Sequence, residues 1–123
     1  MTHNFILIAD KPSRWRKRLK EAISPVGELR TLTEKKARTL SQTSRNDVVI
    51  IDESRVKRAE ELINAFSTQF NPPPIVVLCA RPPDWEHALR LFKAGATDYV
   101  RRYIEKDKLA MFFKELLSGL GRT

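Results

Sequence analysis

Asp47-Val48-Val49-Ile50-Ile51-Asp52 decides the fold of this chain. Its four consecutive β-branched residues favour an extended, pleated backbone. No polar residue interrupts them, so a strand here must bury both faces, which is the habit of a central strand in a parallel sheet. Two more runs read the same way: Phe5-Ile6-Leu7-Ile8-Ala9 before it and Ile75-Val76-Val77-Leu78-Cys79-Ala80 after it.

Between these runs the apolar period lengthens from continuous to helical. Pro12-Ser13 marks a turn and a candidate N-cap, and Trp15, Leu19, Ala22 and Ile23 then share one face of a helix over 13–23. Ser24-Pro25-Val26-Gly27 breaks it. Residues 28–32 form the least apolar strand, suited to a sheet edge, and 34–40 a second helix with a thin apolar face, Ala37 and Leu40. Ala59, Leu62, Ile63 and Phe66 mark a third helix over 56–66, and Asn71-Pro72-Pro73-Pro74 is a stiff connector. Pro82-Pro83-Asp84 opens a helix carrying Trp85, Ala88, Leu89 and Phe92, with Gly95 at a left-handed C-terminal position. Both tryptophans, Trp15 and Trp85, are expected to pack. A short strand over 97–101 and a helix over 105–120, striped by Leu109, Phe112, Phe113, Leu116, Leu117 and Leu120, complete the chain.

The pattern is βα repeated five times, a doubly wound parallel sheet in a single α/β domain over residues 1–123. Apolar residues at 41% and charged residues at 31% agree with a globular domain. Cys79 is the lone cysteine, so no internal disulfide can form, and a cytoplasmic setting is expected. No run of about 18 apolar residues is present to span a membrane. The formal net charge is +8, and residues 1–45 hold eleven Lys and Arg against four Asp and Glu. No Gly-rich phosphate loop, catalytic triad or metal-ligand cluster is seen, and the two histidines, His3 and His87, are far apart, so an enzyme is not expected.

In such sheets functional groups gather at the C-terminal ends of the strands. Those ends supply Asp10 and Lys11, Asp52 and Glu53, Cys79, and Arg101 with Arg102. Here the chain resembles the response-regulator receiver (CheY-like) domains over essentially its whole length. Residues 47–52 resemble that family's acid, four apolar residues and phospho-accepting aspartate; Ala94-Gly95-Ala96-Thr97-Asp98-Tyr99 is similar to its stretch between helix four and strand five; residues 6–10 resemble the start of its acidic pair. The resemblance implies a flavodoxin-like sheet of order 2-1-3-4-5, a phospho-acceptor position at Asp52, and an acidic pocket of Asp10, Lys11, Asp52 and Glu53. It implies switch positions at Cys79, Tyr99 and Arg102.

The departures carry the functional expectation. Lys11 stands where the family has a second acid, Cys79 where it has a hydroxyl, Arg102 where it has a lysine, and Tyr103 where it has a proline. An ammonium beside the metal position disfavours Mg²⁺, and an ion pair of Lys11 with Asp52 or Asp10 is expected, worth on the order of 4 kcal/mol before desolvation. No cofactor is expected; if a metal bound, Asp10, Asp52 and the Ser54 carbonyl would hold it. A thiol at Cys79 is a poor hydrogen-bond donor, so Asp52 and Tyr99 should be loosely coupled; Cys79 itself reads as a small buried residue. The chain is therefore expected to be an atypical receiver in signal transduction, acting by phosphorylation-independent contact with protein partners. A second copy of itself is among the candidate partners. The interaction face would hold Lys93, Tyr99, Arg101, Tyr103, Lys106 and Met111. One alternative is a working receiver, phosphorylated on Asp52 by a histidine kinase with Mg²⁺. Another is a polyanion- or nucleic-acid-binding module using the basic first third, although a nucleic-acid partner is disfavoured because no aromatic residues interleave the cations.

Overall fold

The structure, a computed structural model, describes residues 3–40, 48–69, 71–79, 81, 84–101 and 105–120. Five strands alternate with five helices: β1 (His3–Ile8), α1 (Arg16–Ile23), β2 (Gly27–Leu32), α2 (Glu34–Leu40), β3 (Val48–Asp52), α3 (Ala59–Ser67), β4 (Ile75–Cys79), α4 (Trp85–Ala94), β5 (Asp98–Arg101) and α5 (Lys106–Leu120). A single 3₁₀ turn, Glu53–Arg55, follows β3. The strands form one sheet of order β2-β1-β3-β4-β5, and each neighbouring pair is parallel.

Side chains alternate across the sheet and build two cores. Phe5, Leu7, Val48, Ile50, Val76, Leu78 and Val100 pack against Trp15, Leu19 and Ile23 of the α1 side and Leu109 and Phe113 of α5. On the opposite face Ile6, Ile8, Val49, Ile51 and Val77 meet Ala37 of α2, Leu62, Ile63 and Phe66 of α3, and Leu91 of α4. The continuous apolar runs of β1, β3 and β4 thus exist because helices cover both faces. β2, with its alternating polar residues, lies at the edge, as its composition predicts.

Three local readings change. α1 starts at Arg16, with Trp15 rather than Ser13 at the N-cap position; the Ser13 hydroxyl accepts the Trp15 N–H just ahead of the helix and donates to Asp52. α3 starts at Ala59, because the 3₁₀ turn and the segment after it occupy residues 53–58. α4 buries Leu91 and leaves the Trp85–Leu89–Phe92 stripe outside, with Trp85 78% exposed. Trp15, in contrast, packs as expected. Asp84 caps α4 by accepting the His87 N–H at 2.8 Å, and Gly95 ends it at φ +121°. A Cβ at Gly95 would also collide with the Ser67 side chain, so glycine is required both for space and for the backbone.

Candidate functional site

The C-terminal rim of the sheet brings together Asp10, Lys11, Ser13, Asp52, Glu53, Ser54 and Cys79. Asp10 N–H donates to the Arg55 carbonyl at 2.8 Å, which ties the loop after β1 to the turn after β3. Between them sits Asp52, 1% exposed at the end of β3.

A buried carboxylate needs partners, and Asp52 has three. The Ser13 hydroxyl donates to its Oδ2 at 2.5 Å. The Ser54 hydroxyl donates to its Oδ1 at 2.7 Å, and the Ser54 N–H donates to the same oxygen at 3.2 Å. Ser13 Oγ in turn accepts the Trp15 N–H at 3.1 Å, so its lone pairs face the backbone and its proton faces Asp52. Both carboxylate oxygens are thereby satisfied by the chain's own hydroxyls.

The expected ion pair of Lys11 is not formed. Lys11 is exposed, and among the described residues it makes no ion pair with Asp52 or Asp10. Full hydration of an ammonium outweighs a pair with a carboxylate whose two oxygens already accept hydrogen bonds. Asp10 turns the other way and accepts the Glu34 N–H of α2 at 2.8 Å.

Two acids that the sequence reading left aside or left without a partner shape the same rim. Glu34, 8% exposed, accepts the Lys57 N–H at 2.9 Å and is paired with Arg38 at 3.1 Å. Burial alone would raise its pKa; the Lys57 N–H and the Arg38 guanidinium outweigh that and hold it below the usual glutamate value. Glu53 meets His87 Nε2 of α4 at 2.6 Å. Arg90 approaches His87 Nδ1 at 3.4 Å. A guanidinium can only donate, so in this geometry Nδ1 accepts and Nε2 carries the proton given to Glu53. Arg90 also pairs with Glu60 of α3 at 3.2 Å. The turn after β3, α3 and α4 are thus joined by a polar bridge of residues far apart in sequence, for which local pattern offers no signal.

Cys79 closes β4 at 1% exposure. Burial, with the Glu53 carboxylate adding to it, pushes its thiol up to about 12, so it stays protonated and inert. Tyr99 is half-buried on β5 with its ring 6.0 Å from that of Phe92. Lys93, Arg101 and Met111 are exposed. Arg102, Tyr103 and the side chain of Lys106 lie outside the described residues.

No protein-family profile matches the chain, and no curated protein matches it in sequence. Solved structures do match. The signal receiver domain of a signal transduction histidine kinase from Syntrophus aciditrophicus aligns at a TM-score of 0.80 and 21% identity, covering 99% of this chain and 95% of that one. A response regulator from Thermotoga maritima aligns at 0.77 and 24%, covering 96% and 99%. The chemotaxis response regulator CheY4 of Vibrio cholerae aligns at 0.78 and 19%, covering 94% and 99%. The fold of this chain is that of the response-regulator receiver domains, of flavodoxin-like topology. Among the described residues no helix is long and apolar enough to cross a membrane.

Proposed function

We propose that this chain is an atypical receiver-fold signalling module that works by protein–protein contact without phosphorylation. The observation that carries this reading is the state of Asp52: both of its oxygens are taken by Ser13 and Ser54. A phosphoryl acceptor needs a free carboxylate oxygen as nucleophile and a cation to neutralise the incoming charge. Mg²⁺ asks for several hard oxygens in near-octahedral array. Here both Asp52 oxygens accept serine hydroxyls, Asp10 Oδ1 holds the start of α2, and the neighbouring position is Lys11 where the ion would need another hard oxygen, so the donor set fits that ion poorly. Receivers of the same fold include one described as beryllofluoride-activated; the serine-bound Asp52 argues against that behaviour here.

The contact surface would be the face of α4, β5 and α5. Trp85, Leu89 and Phe92 lie on one side of α4 at 78%, 37% and 44% exposure, and Met111 of α5 is 61% exposed. Aromatic and methionine side chains of this kind are enriched in interface cores. Lys93 and Arg101 supply charge around them.

Incubation with acetyl phosphate and Mg²⁺, followed by intact-mass measurement, tests the reading. No phosphoryl increment is expected. An increment that disappears in Asp52→Ala would establish the alternative, a working receiver.

A further inference from the structure

We propose a second, separate binding surface: the β1–α1 loop and outer face of α1 bind the phosphate backbone of double-stranded DNA. Six of the ten residues 11–20 are Lys or Arg and none is acidic. Lys11, Arg14, Arg16, Lys17 and Lys20 are exposed. Among the described residues none of these five is engaged in an ion pair. The buried positions of α1 are Leu19, Ala22 and Ile23. Arg16, Lys17 and Lys20 are each exposed, and at 100° per residue they fall within one arc of about 100°, with Lys17 opposite the buried stripe and Arg16 at its edge beside Ile23.

This face works against its own helix. The first turn of α1 is Arg16-Lys17-Arg18, with no acid and no side-chain cap. Positive charge there opposes the helix dipole, and Arg16 and Lys20 repel as an i, i+4 pair. An anion laid along the helix would reverse both costs.

The chemistry of the surface selects the anion. A protein interface needs a desolvated apolar centre, and no large apolar side chain is exposed here; the exposed ones among the described residues are Trp85, Leu89, Phe92 and Met111, on α4 and α5. Single-stranded nucleic acid needs aromatic platforms for its bases, but Trp15 is 5% exposed and Arg18 covers its ring at 5.0 Å. Stable membrane attachment needs an apolar or lipid anchor besides a basic patch. Sequence-independent contact with a duplex backbone needs cations alone. The absence of interleaved aromatics counts against single strands, but not against duplex.

The test is fluorescence anisotropy with a labelled DNA duplex of arbitrary sequence across a salt series. If four of the five cations reach phosphates, log K falls against log salt with a slope of about −3.6, and affinity drops ~150-fold between 50 and 200 mM salt. The variant Arg16→Gln/Lys17→Gln/Lys20→Gln should lose about 0.9 of slope per residue. Its thermal midpoint should be unchanged or raised, which separates lost binding from lost folding. The control Lys35→Gln/Lys36→Gln/Lys108→Gln removes the same charge from α2, on the opposite face of the sheet, and from α5, and should bind as the parent does. Equal weakening by both triple variants would overturn the proposal in favour of net charge alone. So would preferential binding to phosphatidylserine vesicles or polyglutamate, or no duplex binding at 50 mM salt.

Discussion

Replacing Ser13 by alanine examines the site most closely. The substitution removes one hydroxyl from a carboxylate that is 1% exposed and leaves Oδ2 without its 2.5 Å donor. Hydrogen bonds to charged groups contribute about 1.5–3 kcal/mol, and a buried acceptor left unpaired costs at least as much. Ser13 is only half-buried, so a water can enter and return part of this, which places the expected loss near 2 kcal/mol. For a domain of this size that is about 8 °C in thermal midpoint. Ser54→Ala should cost about 1 kcal/mol, because the Ser54 N–H still serves Oδ1 and the position is exposed. The double variant should lose ~0.5 kcal/mol or more beyond the sum, since the two hydroxyls share one carboxylate. Urea denaturation followed by far-UV circular dichroism reads all three. A Ser13→Ala protein as stable as the parent would refute the reasoning. A gain in stability on Asp52→Ala would do so too, since it would mean that Asp52 sits in repulsion rather than in a filled site.

Other expectations follow from the same geometry. Glu34 has a folded pKa below its ordinary 4.5, so its stabilisation is complete above that value and is lost as pH falls through the folded one; Glu34→Gln should be less stable at neutral pH and show a flatter acid limb in a pH series of urea melts, and an unchanged limb would contradict this. Cys79, with its thiol at about 12, should carry on the order of a thousandfold less thiolate at pH 8 than a free cysteine; iodoacetamide labelling in native buffer should therefore be slow and become fast in urea, and equal rates would rule out the buried thiol. Gly95→Ala should destabilise by about 2 kcal/mol or more, from the positive φ and the collision with Ser67; a neutral effect in thermal melts would show that α4 can end otherwise.

The sheet was legible because its strands are short continuous apolar runs, and the edge position of β2 followed from its polar alternation. The placement of Asp52 was legible because strand ends of such sheets converge. The partners of Asp52 were not: Ser13 read as a helix cap, since a serine after Pro12 commonly is one, and only tertiary approach of the β1 loop brings its hydroxyl proton to Asp52. Lys11 read as the partner of an acid because sequence shows charge and not hydration. The α4 stripe showed its period but not its direction, because Leu91 and Ala94, with the polar bridges of His87 and Arg90, hold the other side of the helix to the domain. Glu53 with His87, and Glu34 with Lys57, pair across more than twenty residues, beyond any periodic signal.

The central claim is that serine hydroxyls, and not a metal ion, complete the Asp52 site. Titration with Mg²⁺, followed through the backbone amide resonances of Ser13, Asp52 and Ser54, addresses it directly. The account predicts no saturable shift at these three amides. A saturable shift there that is abolished by Asp52→Asn would contradict it.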